Sequence, residues 1–297
     1  MRENKDLLRL ALDNGYAVPA FNYSDIWEFL AIAEAAEELQ APVYTASTML
    51  TVHTVGMDYC SAFAGVGYRN AGSMLYNHLD HCTSVEMCER ALDYGYQSVM
   101  FDGSGLPIDE NIALTGEVAR AAHARGVFVE AEVGQILGEG EEGSCDGGGE
   151  PVTPEQCVRM VVETGVNSLA VGIGNQHGFY GETPKLNVAL LSEVRRHVDI
   201  PLVLHGGSGL GEDVIRDCIR RGVAKVNVGT ALHYAYKTTL CDEFLKHPEG
   251  YVFSSFAMPA KEAVKDVIRY WIRLCGAENK RRHVREARAQ TRPSAVV

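Results

Sequence analysis

Positive charge is scarce in this sequence. Its 27 lysines and arginines face 39 aspartates and glutamates, a formal net charge of −12 with a pI near 5.3. Nucleic acids and anionic lipid surfaces need a basic face, so neither fits as a main partner. No run approaches 18 apolar residues, which argues against a helical membrane span. The opening MRENKDLLRLALDNG is charged and amphipathic rather than a basic segment followed by an apolar one. These features predict a cytoplasmic protein whose ligands are small molecules. The eight cysteines (60, 82, 88, 145, 157, 218, 241 and 275) show no CxxC spacing in a chain too large to need staples. They read as reduced thiols that form no metal cluster, with Cys145, in a glycine-rich stretch, the most exposed. A GxGxxG after the first strand is also missing, which disfavours a doubly wound dinucleotide fold.

What is present is a repeating alternation. In 297 residues, 46% hydrophobic, there is enough apolar material for a sizeable core. Short β-rich segments recur at 16–22, 41–47, 73–80, 98–104, 127–134, 168–174, 201–207 and 225–230. Between them lie segments of helical period such as IWEFLAIAEAAEELQ, VEMCERALDYG and DVIRDCIRRG, several of them stopped by glycine. Eight such units predict an α/β fold, a (β/α)8 TIM barrel. A further helix over 259–274 carries Ala263, Val264, Val267, Ile268 and Ile272 as an apolar stripe, suited to packing on its own barrel or on a neighbour in an oligomer. A single catalytic domain is expected over 1–280, with a polar, mobile tail over 281–297.

In such a barrel, catalytic groups collect where strands end and on the loops that follow. Those positions are chemically loaded here: Asp80 and His81 after the third strand, Asp102 and Ser104 after the fourth, Glu130 and Glu132 in the fifth. Asn175 and His177 follow the sixth, His205 the seventh, and Asn227 and Thr230 the eighth. One histidine at a strand end is as readily a hydrogen-bonded core residue as a ligand. Three at equivalent heights, His81, His177 and His205, make the pattern of a catalytic zinc with an open coordination position. His78 would lie a layer deeper as support, and Cys82 is expected in the loop beyond His81. His123, His197 and His247 read as solvated.

Two glycine-rich stretches follow the seventh and eighth strands: HGGSGLG with Gly206, Gly207, Ser208 and Gly209, and KVNVGT with Asn227, Gly229 and Thr230. A glycine turn alone is often only a tight connection. Two at this pair of loops point to a phosphate held by backbone N–H groups, a hydroxyl and a helix N-terminus. A long polar segment, 134–152, carries Glu139, Glu141 and Glu142. It reads as a solvated charge run, or as a lid bearing a proton carrier.

Together, LDHC (79–82), DGSG with LPIDENI (102–112), VEAEVGQ (129–135), GNQHGFY (174–180), LVLHGGSGL (202–210) and KVNVGTAL (225–232) resemble the class II, zinc-dependent fructose/tagatose-bisphosphate aldolases over roughly residues 5–275. The similarity is strongest to the shorter branch that includes tagatose-bisphosphate aldolase. It implies reversible cleavage of a ketose bisphosphate into dihydroxyacetone phosphate and an aldehyde, with Zn2+ on His81, His177 and His205. It further implies Asp80 as the acid/base at the C4 hydroxyl, and Asp102 and Glu132 as acids around the metal or at an alternative position for it. Gly178, Gly206, Ser208, Asn227 and Thr230 would hold the phosphate, a monovalent cation (Na+ or K+) would sit near Gly178 and Gly206, and the assembly would be a homodimer or homotetramer. Activity should fall at acid pH, where protons compete with zinc for the histidines. Gly105, Ala231 and the lid LGEGEEG depart from the usual pattern. Other readings stand beside it: a Schiff-base aldolase using Lys225; a metal-dependent hydrolase or other sugar-phosphate lyase on the same barrel, although the first strand lacks the HxH pair of amidohydrolases; and a protein that binds sugar phosphate without catalysis, which an intact Asp80 argues against.

Overall fold

The computed structural model describes residues 7–70, 74–136, 152–179 and 185–284. Parallel strands must be joined by crossovers, and helices in those crossovers cover the outer face of the sheet, so each strand is buried on both sides and reads as a continuous apolar run. That is the pattern of β1 (Val18–Asn22), β2 (Val43–Ser47), β3 (Leu75–Cys82), β4 (Ser98–Phe101), β5 (Phe128–Val133), β6 (Ser168–Val171), β7 (Leu202–Leu204) and β8 (Val223–Val228), whose residues are all buried. Each pairs in parallel with the next, and β8 closes on β1 with Asn227 opposite Ala20. The eight-strand expectation holds in number and order, and the chain is a (β/α)8 barrel.

The helices are α1 (Leu7–Asp13), α2 (Ile26–Glu38), α3 (Met49–Val55), α4 (Met57–Asn70), α5 (Val85–Asp93), α6 (Ile108–Ala124), α7 (Pro154–Thr164), α8 (Val188–His197), α9 (Glu212–Arg220), α10 (Thr230–Lys246) and α11 (Phe253–Leu274). Several begin at a side-chain cap that satisfies otherwise orphaned N–H groups. Asp25 accepts from Trp27 N and Glu28 N at the start of α2, Ser84 accepts from Met87 N at α5, and Thr153 with Gln156 forms a capping box at α7. The sequence pattern does not announce α3, α4 or α10. In α10 the reason is visible: Leu232 alone is buried, while Tyr234, Phe244 and Leu245 are exposed, so no single apolar stripe forms.

The C-terminal helix starts earlier than its stripe suggested, at Phe253, and packs on its own barrel against α2 and α10. Val264, Ile268 and Ile272 are buried, and Lys261 and Lys265 reach Glu34 at 2.7 and 2.9 Å. The body extends past the expected boundary at 280, because Arg281 N donates to Gln40 O at 2.9 Å and Val284 is buried. Residues 285–297 lie outside the described residues. Of the cysteines, Cys241 is exposed and Cys60, Cys82, Cys88, Cys157, Cys218 and Cys275 are buried and free; Cys145 falls outside the described residues. No described helix is long and apolar enough to cross a membrane.

Because Ile268 is wholly buried between α11 and the barrel, Ile268→Ala is expected to cost about 2–5 kcal/mol in denaturant unfolding. A loss below about 1 kcal/mol would show that this helix contributes no packing to the monomer.

Candidate active site

The site begins with an irregularity in β3. Side chains of a strand alternate between faces, so His78 and Asp80 share one face and His81 should point the other way. The pairing with β4 shifts between Leu79 and Cys82, and His81 takes φ +47°, a left-handed conformation rare outside glycine. Such a backbone costs on the order of 1–3 kcal/mol, and here it swings the His81 ring to the same side as Asp80. Cys82 then rejoins the ladder opposite Phe101 as the last residue of the strand, buried, rather than in the loop where the sequence reading put it.

Three imidazoles meet at the mouth. The ring of His81 lies 4.8 Å from that of His177 and 4.5 Å from that of His205, with 6.0 Å between the last two. His81 Nε2 and His205 Nδ1 face each other at 2.9 Å. Their other nitrogens are anchored on carboxylates, His81 Nδ1 on Asp102 Oδ2 at 2.8 Å and His205 Nε2 on Glu130 Oε1 at 2.9 Å. This is how metal-binding histidines are usually oriented, with one nitrogen toward the cation and the other held by an acceptor. Asn175 ties the His177 loop to β7, its Nδ2 donating to His205 O at 2.9 Å while its Oδ1 accepts from Ile173 N. One nitrogen from each histidine lies within 4.8 Å of the others.

The electrostatics favour a cation at the same place. Burial pushes up both the Asp102 and the Glu132 carboxyls. His81 and Ser104 outweigh it for Asp102, whereas for Glu132 the neighbouring Asp102 adds to it, and its pKa stands well above the usual range. Glu132 Oε2 is buried without a hydrogen-bond partner, a costly arrangement that a positive charge would relieve. Burial lowers the His81 pKa, yet Asp80 and Asp102 outweigh it and hold the ring protonated up to about 10. His205, lowered by burial and by His81 to about 4, stays neutral and can accept from it. A field that retains a proton between these two nitrogens would retain a divalent metal there. The donor set of three imidazoles ringed by carboxylates therefore fits a metal ion.

Below the histidines lies Lys225, fully buried. Its Nζ donates to Glu130 Oε2 at 2.8 Å and Oε1 at 3.0 Å, and lies 3.2 Å from His78 Nε2. Burial pushes the Glu130 carboxyl up, but Lys225 and His205 outweigh it and hold its pKa down to about 2. His78 supports from below as expected, with Nδ1 on Ser98 Oγ at 2.9 Å and Nε2 3.2 Å from Asp80 Oδ1.

Asp80 is fully buried and ionised. Burial opposes the charge, but the fields of His81 and Lys225 and the contact with His78 keep its pKa well below normal. Its carboxylate is gripped by Asn22 Nδ2 at 2.8 Å and by Asn227 Nδ2 at 3.0 and 3.1 Å. Asn227, expected from the sequence at the phosphate, thus also holds the aspartate. The physical reason is register: Ala20 pairs with Asn227, so Asn22, two residues on, reaches the same carboxylate from β1. Asn22 was not foreseen; its only signal was being the polar last residue of an apolar strand.

Above β7 and β8 the glycine-rich turns approach each other. A Cβ on Gly206, which has φ +68°, would stand 2.0 Å from Gln176 O, so only glycine fits there. The short turn Gly207–Gly209 follows, Ser208 Oγ accepts from Ala231 N at 3.2 Å, and α10 starts at Thr230 without a side-chain cap. Ala231 N in the first turn of α10 thus meets the Gly207–Gly209 turn, and a helix N-terminus there favours an anion. Gly178 has φ +92° and open space at its Cβ position. Glu139, Glu141 and Glu142 lie outside the described residues.

Residues 2–280 match the family described as fructose-bisphosphate aldolase, class II. Among solved structures, the YdjI aldolase from Escherichia coli K12 is 29% identical with a TM-score of 0.81, covering 93% of this chain and 97% of its own. A candidate fructose-1,6-bisphosphate aldolase from Coccidioides immitis is also 29% identical, with a TM-score of 0.87 and coverage of 95% and 100%. Fructose-bisphosphate aldolase from Campylobacter jejuni, at 20% identity and a TM-score of 0.78 over 94% of this chain and 96% of its own, shares the fold. The three-histidine cluster at the barrel mouth and the match across nearly the whole length lead to one conclusion: this chain belongs to the class II fructose-bisphosphate aldolase family, metal-dependent lyases that break and form carbon–carbon bonds.

Proposed function

We propose that the chain is a zinc-dependent aldolase that cleaves the C3–C4 bond of a ketose bisphosphate, fructose or tagatose 1,6-bisphosphate, releasing dihydroxyacetone phosphate and an aldehyde such as glyceraldehyde 3-phosphate, and that it catalyses the reverse condensation. One observation supports this reading above the others: an ionised, fully buried Asp80 lies beside three convergent histidines with its carboxylate fixed by two amides. Retro-aldol cleavage needs a base for the C4 hydroxyl and an electrophile for the electrons left on the other fragment. Zinc on His81, His177 and His205 would supply that electrophile as a Lewis acid at the C2 carbonyl.

The remaining work falls to side chains. Asp80 accepts the C4 hydroxyl proton, C4 becomes the aldehyde carbonyl, and the C3–C4 electron pair passes into the enediolate. Asn22 and Asn227 hold the carboxylate in one orientation for that transfer. Gly206, Ser208, Thr230 and Gly178 seat the phosphate at the N-terminus of α10, and the Gly178 and Gly206 turns take a monovalent cation beside it. A lid glutamate, Glu139, Glu141 or Glu142, returns a proton to the enediolate. Asp102 orients His81, and Asp102 and Glu132 together with His81 offer an alternative position for the ion. A homo-oligomer, dimer or tetramer, is supported by Leu245 and Tyr251, which stand 80% and 92% exposed around the α10–α11 turn. The buried free thiols suit a reducing cytoplasm.

Asp80→Asn should lower kcat by about a hundred-fold or more while bound zinc stays near one per chain. His205→Ala should lose metal and activity together. Zinc loss in the first variant, or a full metal complement in the second, would overturn the assignment.

Metal binding must displace the proton shared by His81 and His205. Below the His81 pKa of about 10 that proton is present and competes, so apparent zinc affinity rises with pH. Titration between pH 6 and 8 should show it rising about tenfold per unit for one proton released. A flat profile would contradict the shared proton.

Lys225 is held in its ion pair beneath the metal ligands, which opposes the Schiff-base reading. Borohydride added with dihydroxyacetone phosphate should leave activity intact, and an adduct on Lys225 would revive that alternative. Lys225→Met, which strands the Glu130 charge, should destabilise the fold by about 3–5 kcal/mol in denaturant titration; a neutral change would show that Glu130 needs no counter-charge.

A further inference from the structure

The cradle assigned to the phosphate stands at the start of a helix with little apolar anchorage. Of the 17 residues of α10 only Leu232 is buried, and the helix packs against α11. Burial therefore does little to fix where its first turn sits. Polar and aromatic side chains do this instead. His233 Nδ1 donates to Glu28 Oε1 at 2.9 Å, and Ser24 Oγ lies 3.3 Å from the same nitrogen. Tyr236 OH donates to Asp25 Oδ2 at 2.9 Å. Tyr234 meets Phe179, two residues past His177, edge to face with ring centroids 5.3 Å apart.

Glu28 is the central member of this set. Its carboxylate is only 1% exposed although it belongs to the first turn of a covering helix, and Oε2 accepts from Ser24 N at 2.7 Å. Both α2 and α10 start at the mouth of the barrel, so the carboxylate lies at the positive ends of two helices. A buried carboxylate is costly unless its hydrogen bonds are made, and making these fixes one helix start against the other. The first turn of α10 is in turn joined to the cradle, since Ala231 N donates to Ser208 Oγ. The same connection leaves β1 directly after Asn22, which holds Asp80. It therefore reaches towards the acid/base and the phosphate seat alike.

We propose that Glu28 and His233 are positioning residues for the substrate phosphate. Their hydrogen bond locks the first turn of α10 against α2 and so sets where Thr230 and Ser208 meet the phosphate group. They act through the cradle and not on the substrate itself. This rests on the aldolase reading above and deepens it by naming what holds the phosphate seat in place.

The test titrates zinc-loaded, full-length protein with inorganic phosphate and with dihydroxyacetone phosphate by calorimetry. Glu28→Ala should weaken both affinities about tenfold, the equivalent of one charge-assisted hydrogen bond, while bound zinc stays near one per chain. In condensation assays the loss should fall on KM for dihydroxyacetone phosphate rather than on kcat. Glu28→Gln, whose amide oxygen can still accept from His233, should retain most of the affinity. The double variant with His233→Ala should bind phosphate no more weakly than the worse single one, because both remove the same contact. Unchanged phosphate affinity in Glu28→Ala, or losses that add in the double variant, would overturn the proposal even if stability fell. Should Glu28→Ala fail to fold, His233→Ala decides alone by the same affinities. Exchange of the hydroxymethyl protons of dihydroxyacetone phosphate with deuterated water in the unaltered protein separates the two levels. Exchange there, with unchanged affinity in the variants, would sink this proposal alone. Absence of exchange would sink the aldolase reading beneath it.

Discussion

One buried ion pair joins the two halves of this site. Lys225 and Glu130 meet at 2.8 Å in the interior of the barrel, fully screened from water. Glu130 orients His205 from behind, and Lys225 touches His78, which in turn touches Asp80. His205 and Asp80 thus share one buried polar network. Buried ion pairs seldom add stability over an apolar core of equal volume, because desolvation offsets the attraction. This one has a different use: it lets the barrel keep several carboxylates in the dry region under the mouth.

That concentration of carboxyl groups favours a cation at the histidine cluster. Asp80, Asp102, Glu130 and Glu132 are all within a few side-chain contacts of His81 or His205. Lys225 neutralises one of them, the shared proton on the histidine pair another, and Glu132 is left with a buried oxygen lacking a partner. A divalent ion held by these histidines would replace the proton and relieve the rest. The strained backbone at His81 belongs to the same economy, since without that bulge the ring would face away from the mouth.

The eight strands were legible in the sequence because parallel strands covered on both faces read as short apolar runs, and the glycines after them mark the crossovers. The three histidines were legible for a related reason: His81 and His205 stand at the ends of β3 and β7, and His177 in the loop that follows β6. The bulge was not, because a register slip is a property of two paired backbones and leaves no residue type behind; Cys82 was misplaced for that reason. Asn227 and Asn22 show a second limit. Their inward direction follows from alternation, but that both reach Asp80 depends on how β1 and β8 close the barrel, a contact between the first and last strands. The helix α10 escaped notice because its apolar residues do not form one stripe.

The central claim is that the histidine cluster holds the metal on which carbon–carbon cleavage depends. It is tested most directly by following release of dihydroxyacetone phosphate from 1-phosphorylated and 1,6-bisphosphorylated fructose and tagatose, with zinc-loaded and chelator-stripped protein. Release that disappears on stripping and returns with zinc is the predicted result. Release that survives complete removal of the metal would contradict the account.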